Sequence, residues 1–432
     1  MTPAARLSAA IDIIETIEAD RAPAAKALKD WGTSHRFAGS GDRAAIAGLV
    51  WDVLRRRASS AWVMEDDSAR ARVLGMLKLE RGLDVPTIGA MCDGSRFAPP
   101  PLTDQEEKAL ASRTTEGAPS PVAGDYPDWL DPYLAAVFGD DRVAEAMAMA
   151  SRAPLDLRVN TLKAKREKVQ ASLKHLGAVP TPWSPIGLRI TLGADARNPG
   201  IHAEEDFIKG AIEVQDEGSQ LAALFTAAKP GEQVIDLCAG AGGKTLALAA
   251  MMGGKGRLIA TDDDKRQLAP IHERLSRAGV HNADVRSPKG DADPLADIRA
   301  SADLVVIDAP CTGTGTWRRN PDAKWRMRPG ALEIRLKDQA EVLDRAAGLV
   351  KPGGRIAYIT CSVLQPENGD QVRGFVARHP EFSIQPPDQT ATVLWDKAEA
   401  FAEAALKSDE GWLMTPRRTG TDGFFVSVLK KA

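Results

Sequence analysis

The chain has 432 residues, of which 44% are hydrophobic and 27% charged, and its formal net charge is −3. This length predicts two or three domains of an ordinary soluble protein. The small net charge excludes a polyanion-binding surface over the whole protein, so any nucleic-acid contact must come from local patches. No apolar run approaches the roughly 18 residues of a membrane span. The acidic, amphipathic N-terminus lacks the apolar core of a signal peptide, so we expect a cytoplasmic protein.

The N-terminal region, residues 1–96, has the pattern of a helical domain. Its apolar residues recur at spacings of three and four, as in "RLSAAIDIIETI" and "DRAAIAGLVWDVLRRRASSAWVM". The next segment, residues 97–127, is rich in Pro, Ser, Thr and Gly. We interpret it as a linker with one short helix at 104–112.

Residues 128–217 have a mixed pattern that predicts a small α+β subdomain. Helical patterns cover 129–150 and 163–176, and strand-like runs cover 155–160, 188–192 and 211–214. The stretch from Arg158 to Leu176 carries six Lys or Arg residues against one Glu. Such a stretch is either a solvated helix face or a surface that contacts phosphates.

Residues 218–432 alternate between strands and helices, which predicts a doubly wound, mostly parallel α/β sheet. The predicted strands are 233–238, 257–260, 304–309, 355–360 and 424–429, and the predicted helices are 243–252, 264–278 and 330–350. Ligands of such sheets bind outside the carboxyl ends of the strands. We therefore expect the functional site at the loops that follow these strands.

The first of these strands leads into a glycine loop, "VIDLCAGAGGKTLALAA" (234–250). A phosphate-binding GxxxxGKT loop would need Gly where Cys238 stands, and a dinucleotide fingerprint would need Gly in place of Thr245. The remaining interpretation is a loop for an adenosyl group at a helix N-terminus.

Acidic residues follow the next two predicted strands. Asp262 is the best candidate to bind ribose hydroxyls, with Asp263 and Asp264 as competitors. Alternatively, all three cap the following helix, as Asp commonly does. Asp291 stands where a third strand should end and is a candidate for an adenine contact.

The chain has four cysteines, Cys92, Cys238, Cys311 and Cys361, and none has zinc-ligand spacing to another Cys or to His. We expect free thiols and no metal.

Cys311 and Cys361 both follow apolar strands. Beside a loop for S-adenosylmethionine, a thiolate could add to carbon 6 of a pyrimidine and make carbon 5 reactive. Asp308 is the acid best placed to act on the ring.

Four motifs in order, "LCAGAGGKT", "DAPCTGTG", "YITCSVLQPEN" and "DGFFVSVLKK", resemble the RsmB/Sun family of RNA cytosine-5 methyltransferases. The resemblance extends from about Arg158 to the C-terminus. It implies a class I, Rossmann-like methyltransferase domain with an RRM-like α+β extension. The N-terminal stretch "GDRAAIAGLVWDVLRRR" is similar to the NusB-like helical domain of bacterial RsmB proteins.

The resemblance also implies roles for individual residues. Cys361 of the TCS motif would be the nucleophile, and Cys311 of the APC motif would assist release of the methylated base, with Asp308 acting on cofactor, cytosine or both. DNA cytosine methyltransferases use the cysteine of the PC motif instead. The residues expected to contact S-adenosylmethionine are Cys238, Ala239, Gly240, Ala241, Gly242, Gly243, Lys244, Asp262, Asp291 and Asp308.

The expected partner is RNA, most simply ribosomal RNA, and the protein is expected to be a monomer. The segment "TWRRNPDAKWRMR" (316–328) interleaves five basic residues with two tryptophans, a composition suited to RNA. The predicted RNA contacts are Arg158, Lys244, Arg318, Arg319, Lys324 and Arg326. The alternatives are a tRNA methyltransferase, a catalytically silent RNA-binding assembly factor and a DNA methyltransferase. An amino-group methyltransferase would carry an NPPY-type motif in place of DAPC.

Overall fold

Two compact units make up the protein. The computed structural model describes residues 1–193, 199–288 and 293–432. The first unit comprises Met1–Arg152 and Trp317–Arg328, and the second comprises Ala153–Gly193, 199–316 and Pro329–Ala432. The chain therefore leaves the second unit after Thr316, contributes twelve residues to the first unit, and returns at Pro329.

The first unit is helical, as the sequence pattern predicts. Thr2 caps the first helix by accepting a hydrogen bond from Ala5 N at 3.1 Å, and an apolar core that includes Leu7, Ile13 and Leu74 holds the helices together. The helices are α1 Pro3–Asp20, α2 Ala24–Ser34, α3 Ser40–Arg55, α4 Arg57–Met64, α5 Ala69–Leu79, α6 Val85–Met91, α7 Asp104–Ser112, α8 Ser120–Ala123, α9 Asp131–Phe138, α10 Arg142–Ala150 and α17 Ala323–Arg326.

The segment predicted as a linker is instead part of this helical unit. Its helix α7 spans the predicted residues and starts with a capping box between Thr103 and Glu106. Leu110 belongs to the apolar core, and the buried carboxylate of Asp125 accepts hydrogen bonds from Ala58 N and Ser59 N, both at 2.9 Å. A composition rich in Pro and Gly therefore marks turns here, and not a spacer between domains.

The second unit contains a small antiparallel sheet with the order β2-β3-β1-β4 among the described residues. Leu157, Val159, Leu188 and Ile212 of this sheet are buried in its core. The elements are β1 Leu155–Val159, α11 Arg166–Ser172, β2 Val179–Pro180, β3 Gly187–Ile190, α12 Glu205–Ile208 and β4 Ile212–Val214. The predicted strands of the α+β extension are thus present.

The larger sheet of the second unit has the predicted doubly wound architecture. Its strands are β5 Gln233–Asp236, β6 Arg257–Thr261, β7 Ala283–Arg286, β8 Ala302–Asp308, β9 Val350–Thr360, β10 Phe382–Ile384, β11 Leu406–Lys407, β12 Trp412–Met414 and β13 Phe424–Lys431. Its helices are α13 Glu217–Phe225, α14 Gly243–Met251, α15 Lys265–Leu268, α16 Ile271–Ala278, α18 Pro329–Ala347, α19 Gly369–Arg378, α20 Pro387–Ala391 and α21 Ala398–Ala404.

The strand order is β11-β12-β13-β9-β8-β5-β6-β7, with β10 paired to β13. The pairs β5/β6, β5/β8, β6/β7 and β8/β9 are parallel, and β13 is antiparallel to β9. Val305, Val306 and Ile307 of β8 are all 0% exposed, as expected for a parallel strand covered on both faces. Because the five parallel strands β5, β6, β7, β8 and β9 end at one edge, the loops that follow them lie together.

Two details differ from the sequence prediction. The helix predicted over 264–278 is two helices, α15 and α16, and the second begins directly after Pro270, whose ring cannot donate the backbone hydrogen bond of a helix interior. The third strand, β7, ends at Arg286. Asp291, predicted to contact adenine at that strand end, lies outside the described residues.

Candidate active site

The glycine loop makes a tight turn from β5 into the N-terminus of α14. Gly242 has a φ of 84°, and a Cβ at this position would lie 2.5 Å from Ile271 Cγ1. Both the backbone conformation and the packing therefore require glycine. Gly240 also has a positive φ, of 50°, but a Cβ there would meet nothing within 4 Å. The loop thus leaves open space on one side, next to the amide groups that begin α14.

The acids after β6 have separate roles in the structure. Asp264 is the N-cap of α15 and accepts a hydrogen bond from Arg266 N at 2.8 Å. Asp263 is largely exposed and contacts Arg345. Asp262 instead reaches back to the glycine loop, where its Oδ2 accepts a hydrogen bond from Gly240 N at 2.9 Å. Only Asp262 is therefore placed to act together with the loop.

Another carboxylate, Asp236, lies at the end of β5 and is 0% exposed. Its Oδ2 accepts a hydrogen bond from Thr245 Oγ1 at 2.6 Å, whereas its Oδ1 has no partner among the described residues. Burial raises the pKa of Asp236 to about 7. Burial, together with the charges of Asp236, Asp262 and Asp308, also raises the pKa of the Cys238 thiol. The loop is therefore surrounded by carboxylates.

Lys244, in the first turn of α14, forms an ion pair with Asp308 at the end of β8. The distance from Lys244 Nζ to Asp308 Oδ2 is 2.7 Å, and Lys244 is only 4% exposed. The ammonium group also donates to Ser219 Oγ at 3.3 Å and lies 5.0 Å from the centre of the Phe424 ring. The sequence singled out both residues but gave no indication that they pair.

The two predicted thiols meet at the same edge of the sheet. The distance between Cys311 Sγ and Cys361 Sγ is 3.3 Å. This proximity follows from the parallel pairing of β8 and β9, in which Asp308 lies opposite Ile359. The hydrogen bond to Cys361, followed by burial, raises the pKa of the Cys311 thiol well above its usual range. The Cys311 thiol therefore resists deprotonation.

Arg158 is not on the surface, contrary to its prediction as an RNA contact. It is 1% exposed, and burial lowers the pKa of its guanidinium to about 10. Its Nε donates to Gln215 Oε1 at 2.6 Å, and Gln215 in turn donates to Ser219 Oγ at 3.1 Å. Arg158 therefore supports the residues beneath Lys244, and its guanidinium is not available to a phosphate.

The basic segment 316–328 also has buried members, because residues 317–328 pack within the helical unit. Lys324 is 1% exposed and donates to Arg55 O at 3.2 Å, and Arg318 is 4% exposed. Burial lowers the pKa of Lys324 to about 7. The prediction of phosphate contacts is therefore wrong for Arg318 and Lys324. Arg326 is exposed and pairs with Asp322, and Arg319 is half-buried. For these two residues, the contact with RNA stays a prediction.

Sequence analysis missed one residue of this site, Glu367. Its buried carboxylate accepts hydrogen bonds from the residues that directly follow both thiols. A single Glu in a turn belongs to no periodic pattern that would mark it as functional. Only its position shortly after Cys361 in the sequence could have suggested a role at the site.

Within the described ranges, no group of His, Cys, Asp and Glu side chains could hold a metal ion. Among the same residues, no helix is long and apolar enough to span a membrane.

A Rossmann-like sheet with a glycine loop and strand-end acids defines the chain as a class I methyltransferase. A family model described as 16S rRNA methyltransferase RsmB/F matches residues 223–430, and a model for the ferredoxin-like domain of RsmF/B-like methyltransferases matches residues 126–197. The chain belongs to this RsmB/F family, which confirms the resemblance seen in its motifs.

Individual relatives agree with this assignment. A probable ribosomal RNA small subunit methyltransferase B of Synechocystis sp. is 32% identical over 343 residues, which cover 77% of this chain and 70% of the relative. Ribosomal RNA small subunit methyltransferase B of Salmonella typhi is 33% identical over 71% of this chain and 66% of its own length. The crystal structure of PH0851 superposes with a TM-score of 0.74 and 27% identity, covering 100% of this chain and 99% of that one.

Proposed function

We propose that the protein methylates carbon 5 of a cytosine in ribosomal RNA, with S-adenosylmethionine as methyl donor and Cys361 as nucleophile. The observation that carries the proposal is the 3.3 Å distance between the sulfurs of Cys311 and Cys361 beside the glycine loop. Two adjacent thiols suit a reaction in which one sulfur attacks and the other assists its departure. The names of the relatives support ribosomal RNA as the substrate class.

The residues around the glycine loop fit S-adenosylmethionine. The cofactor carries a sulfonium and an ammonium group, and the carboxyl groups of Asp236, Asp262 and Asp308 lie around the loop. Asp236 Oδ1 is buried without a partner in the described part of the chain, and a buried orphan acceptor is costly unless a ligand satisfies it. When bound, the cofactor supplies an activated methyl group. The loop Cys238–Lys244 would hold it, and Asp262 would accept hydrogen bonds from its ribose.

The thiols can perform covalent catalysis at the base. Carbon 5 of cytosine is a poor nucleophile until the sulfur of Cys361 adds to carbon 6, which gives carbon 5 enamine character. After the methyl group is in place, a general base takes the proton from carbon 5. The electrons of that C–H bond re-form the double bond between carbons 5 and 6, and the bond from carbon 6 to Cys361 breaks with its electron pair leaving on sulfur. Because Cys311 stays protonated, its S–H can donate to the departing sulfur of Cys361 and stabilise the thiolate.

Lys244 and Asp308 can orient the cytosine. The ion pair offers both a donor and an acceptor, and cytosine presents an acceptor at N3 and a donor at its amino group. Asp308 would accept from the amino group while Lys244 donates to N3, which stabilises charge on the ring when Cys361 adds.

Bisulfite sequencing of RNA from a strain that lacks the gene tests this proposal. We expect one or more cytosines of small-subunit rRNA to lose their methylation and to regain it with the wild-type gene but not with a Cys361→Ala variant. The loss of a methyl group only from tRNA would contradict the ribosomal substrate. Unchanged 5-methylcytosine in all RNA would contradict the reaction itself.

A further inference from the structure

A buried carboxylate joins the two thiol loops. Glu367 is 0% exposed. Its Oε1 accepts hydrogen bonds from Thr312 N at 2.8 Å and from Gln339 Nε2 at 3.0 Å. Its Oε2 accepts from Thr312 Oγ1 at 2.5 Å and from Ser362 Oγ. All four donors are neutral groups, so both oxygens of a buried carboxylate are fully used by hydrogen bonding.

Two of these donors directly follow the two cysteines in the sequence. Thr312 directly follows Cys311, and Ser362 directly follows Cys361. The carboxylate of Glu367 therefore fixes Thr312 and Ser362 relative to each other, and with them the two thiol loops. Hydrogen bonding of this kind is the usual way in which a protein holds a reactive group within tenths of an ångström.

Glu367 also affects the charge state of the thiol pair. Its negative charge adds to the hydrogen bond with Cys361 and to burial in raising the pKa of Cys311. A buried anion close to Cys311 opposes a second negative charge there, so Cys311 keeps its proton more readily. The hydrogen bonds of Glu367 hold the Cys311 loop in place, and its charge keeps the Cys311 thiol protonated.

We propose that Glu367 is a positioning residue that holds the Cys311 loop against Cys361 for the release of the methylated base. This inference rests on the proposed function, in which Cys361 forms a bond to the cytosine and Cys311 assists its rupture. Glu367 does not contact the base; it acts through Thr312 and Ser362.

Two substitutions of Glu367 separate its geometry from its charge. In Glu367→Gln, the amide carbonyl can still accept from Thr312 N and Gln339, while the amide nitrogen can donate to the hydroxyls of Thr312 and Ser362. The connection between the loops is kept and the charge is lost. Glu367→Ala removes both. A Thr312→Val/Ser362→Ala double variant removes the two hydroxyl contacts and keeps the carboxylate.

The experiment measures covalent adducts with small-subunit rRNA on denaturing gels, together with methyl transfer. Glu367→Ala and the double variant should lose about 10- to 100-fold in turnover, the effect of a misplaced catalytic group, and should accumulate an adduct as Cys311→Ala does. Glu367→Gln should keep most of the turnover but show a pH optimum shifted to lower pH, because Cys311 then loses its proton more readily. On RNA that contains 5-fluorocytidine, from which carbon 5 cannot lose a proton, all these variants should still form the adduct.

Glu217→Ala is the matched control, because Glu217 is also 0% exposed and accepts backbone hydrogen bonds, from Trp183 N and Ser184 N, away from the thiols. It should lower stability without adduct accumulation. If Glu367→Ala and the double variant lose adduct formation and turnover in parallel, or behave as Glu217→Ala does, the positioning role is wrong. If Cys311→Ala itself gives no adduct, the proposed function fails instead.

Discussion

Lys244 Nζ lies 2.7 Å from Asp308 Oδ2, and this ion pair joins the N-terminus of α14 to the end of β8. The lysine belongs to the glycine loop, whereas the aspartate lies three residues before Cys311. The pair therefore links the expected cofactor loop to the expected base-binding side of the site. If both roles hold, cofactor binding and base binding would share this one ion pair.

Replacement of this lysine should impair catalysis more than folding. Lys244→Met leaves Asp308 without its cation, and we expect a loss of about 2 kcal/mol of transition-state stabilisation, or about 30-fold in the single-turnover rate. Lys351→Met is the control, because Lys351 forms a more exposed ion pair with Asp303 near the start of β9. Equal rates for the two variants would contradict a role of Lys244 at the base.

Removal of the Asp262 carboxylate should weaken cofactor binding. We expect Asp262→Ala to lower the affinity for S-adenosylmethionine by about 1–3 kcal/mol, because Gly240 N and the ribose hydroxyls then lose their acceptor. Asp263→Ala, at a neighbouring carboxylate that is 91% exposed, should leave the affinity unchanged. Calorimetry that finds equal affinities for the two variants would remove Asp262 from the cofactor site.

The sequence predicts this edge of the sheet well because its signals are local. A glycine loop and two cysteines within three residues of the ends of apolar strands can be recognised in the sequence without knowledge of packing. The topology then brings them together, since parallel strands end at one edge. The ion pair of Lys244 and Asp308 could not be predicted, because 64 residues separate its partners and no spacing rule connects them.

The basic segment shows why composition alone fails. Arg318, Lys324 and Trp317 suit RNA by residue type, yet all three are buried. A long side chain with a charged end can pack its methylenes and satisfy its charge on a carbonyl, as Lys324 does on Arg55 O. Only the three-dimensional contacts distinguish this arrangement from an exposed basic loop.

The burial of Lys324 predicts a pH dependence of stability. Its pKa in the folded protein is lowered to about 7 from 10.5, so the unfolded chain binds more protons between these values. The stability of the helical unit should therefore rise as the pH rises from about 7 towards 10. Asp125, Arg55 and Arg56 provide the surrounding charges.

Thermal unfolding of wild type and Lys324→Met across this pH range measures the effect. The variant has no group to deprotonate, so its stability should not share the rise. Arg326→Gln, at an exposed position of the same segment, should behave as wild type. Parallel pH profiles for Lys324→Met and wild type would show that Lys324 is not the titrating group.

The division of labour between Cys361 and Cys311 is the central claim, and the formation of a covalent bond to RNA tests it most directly. Each single Ala variant is incubated with small-subunit rRNA and S-adenosylmethionine, denatured and separated on a gel. Cys361→Ala should give no adduct, because the attacking sulfur is absent. Cys311→Ala should accumulate a thiol-linked band that resists denaturant, because attack proceeds and release does not. A band with Cys361→Ala but none with Cys311→Ala would reverse the two roles, and full activity in both variants would contradict methylation through a covalent adduct.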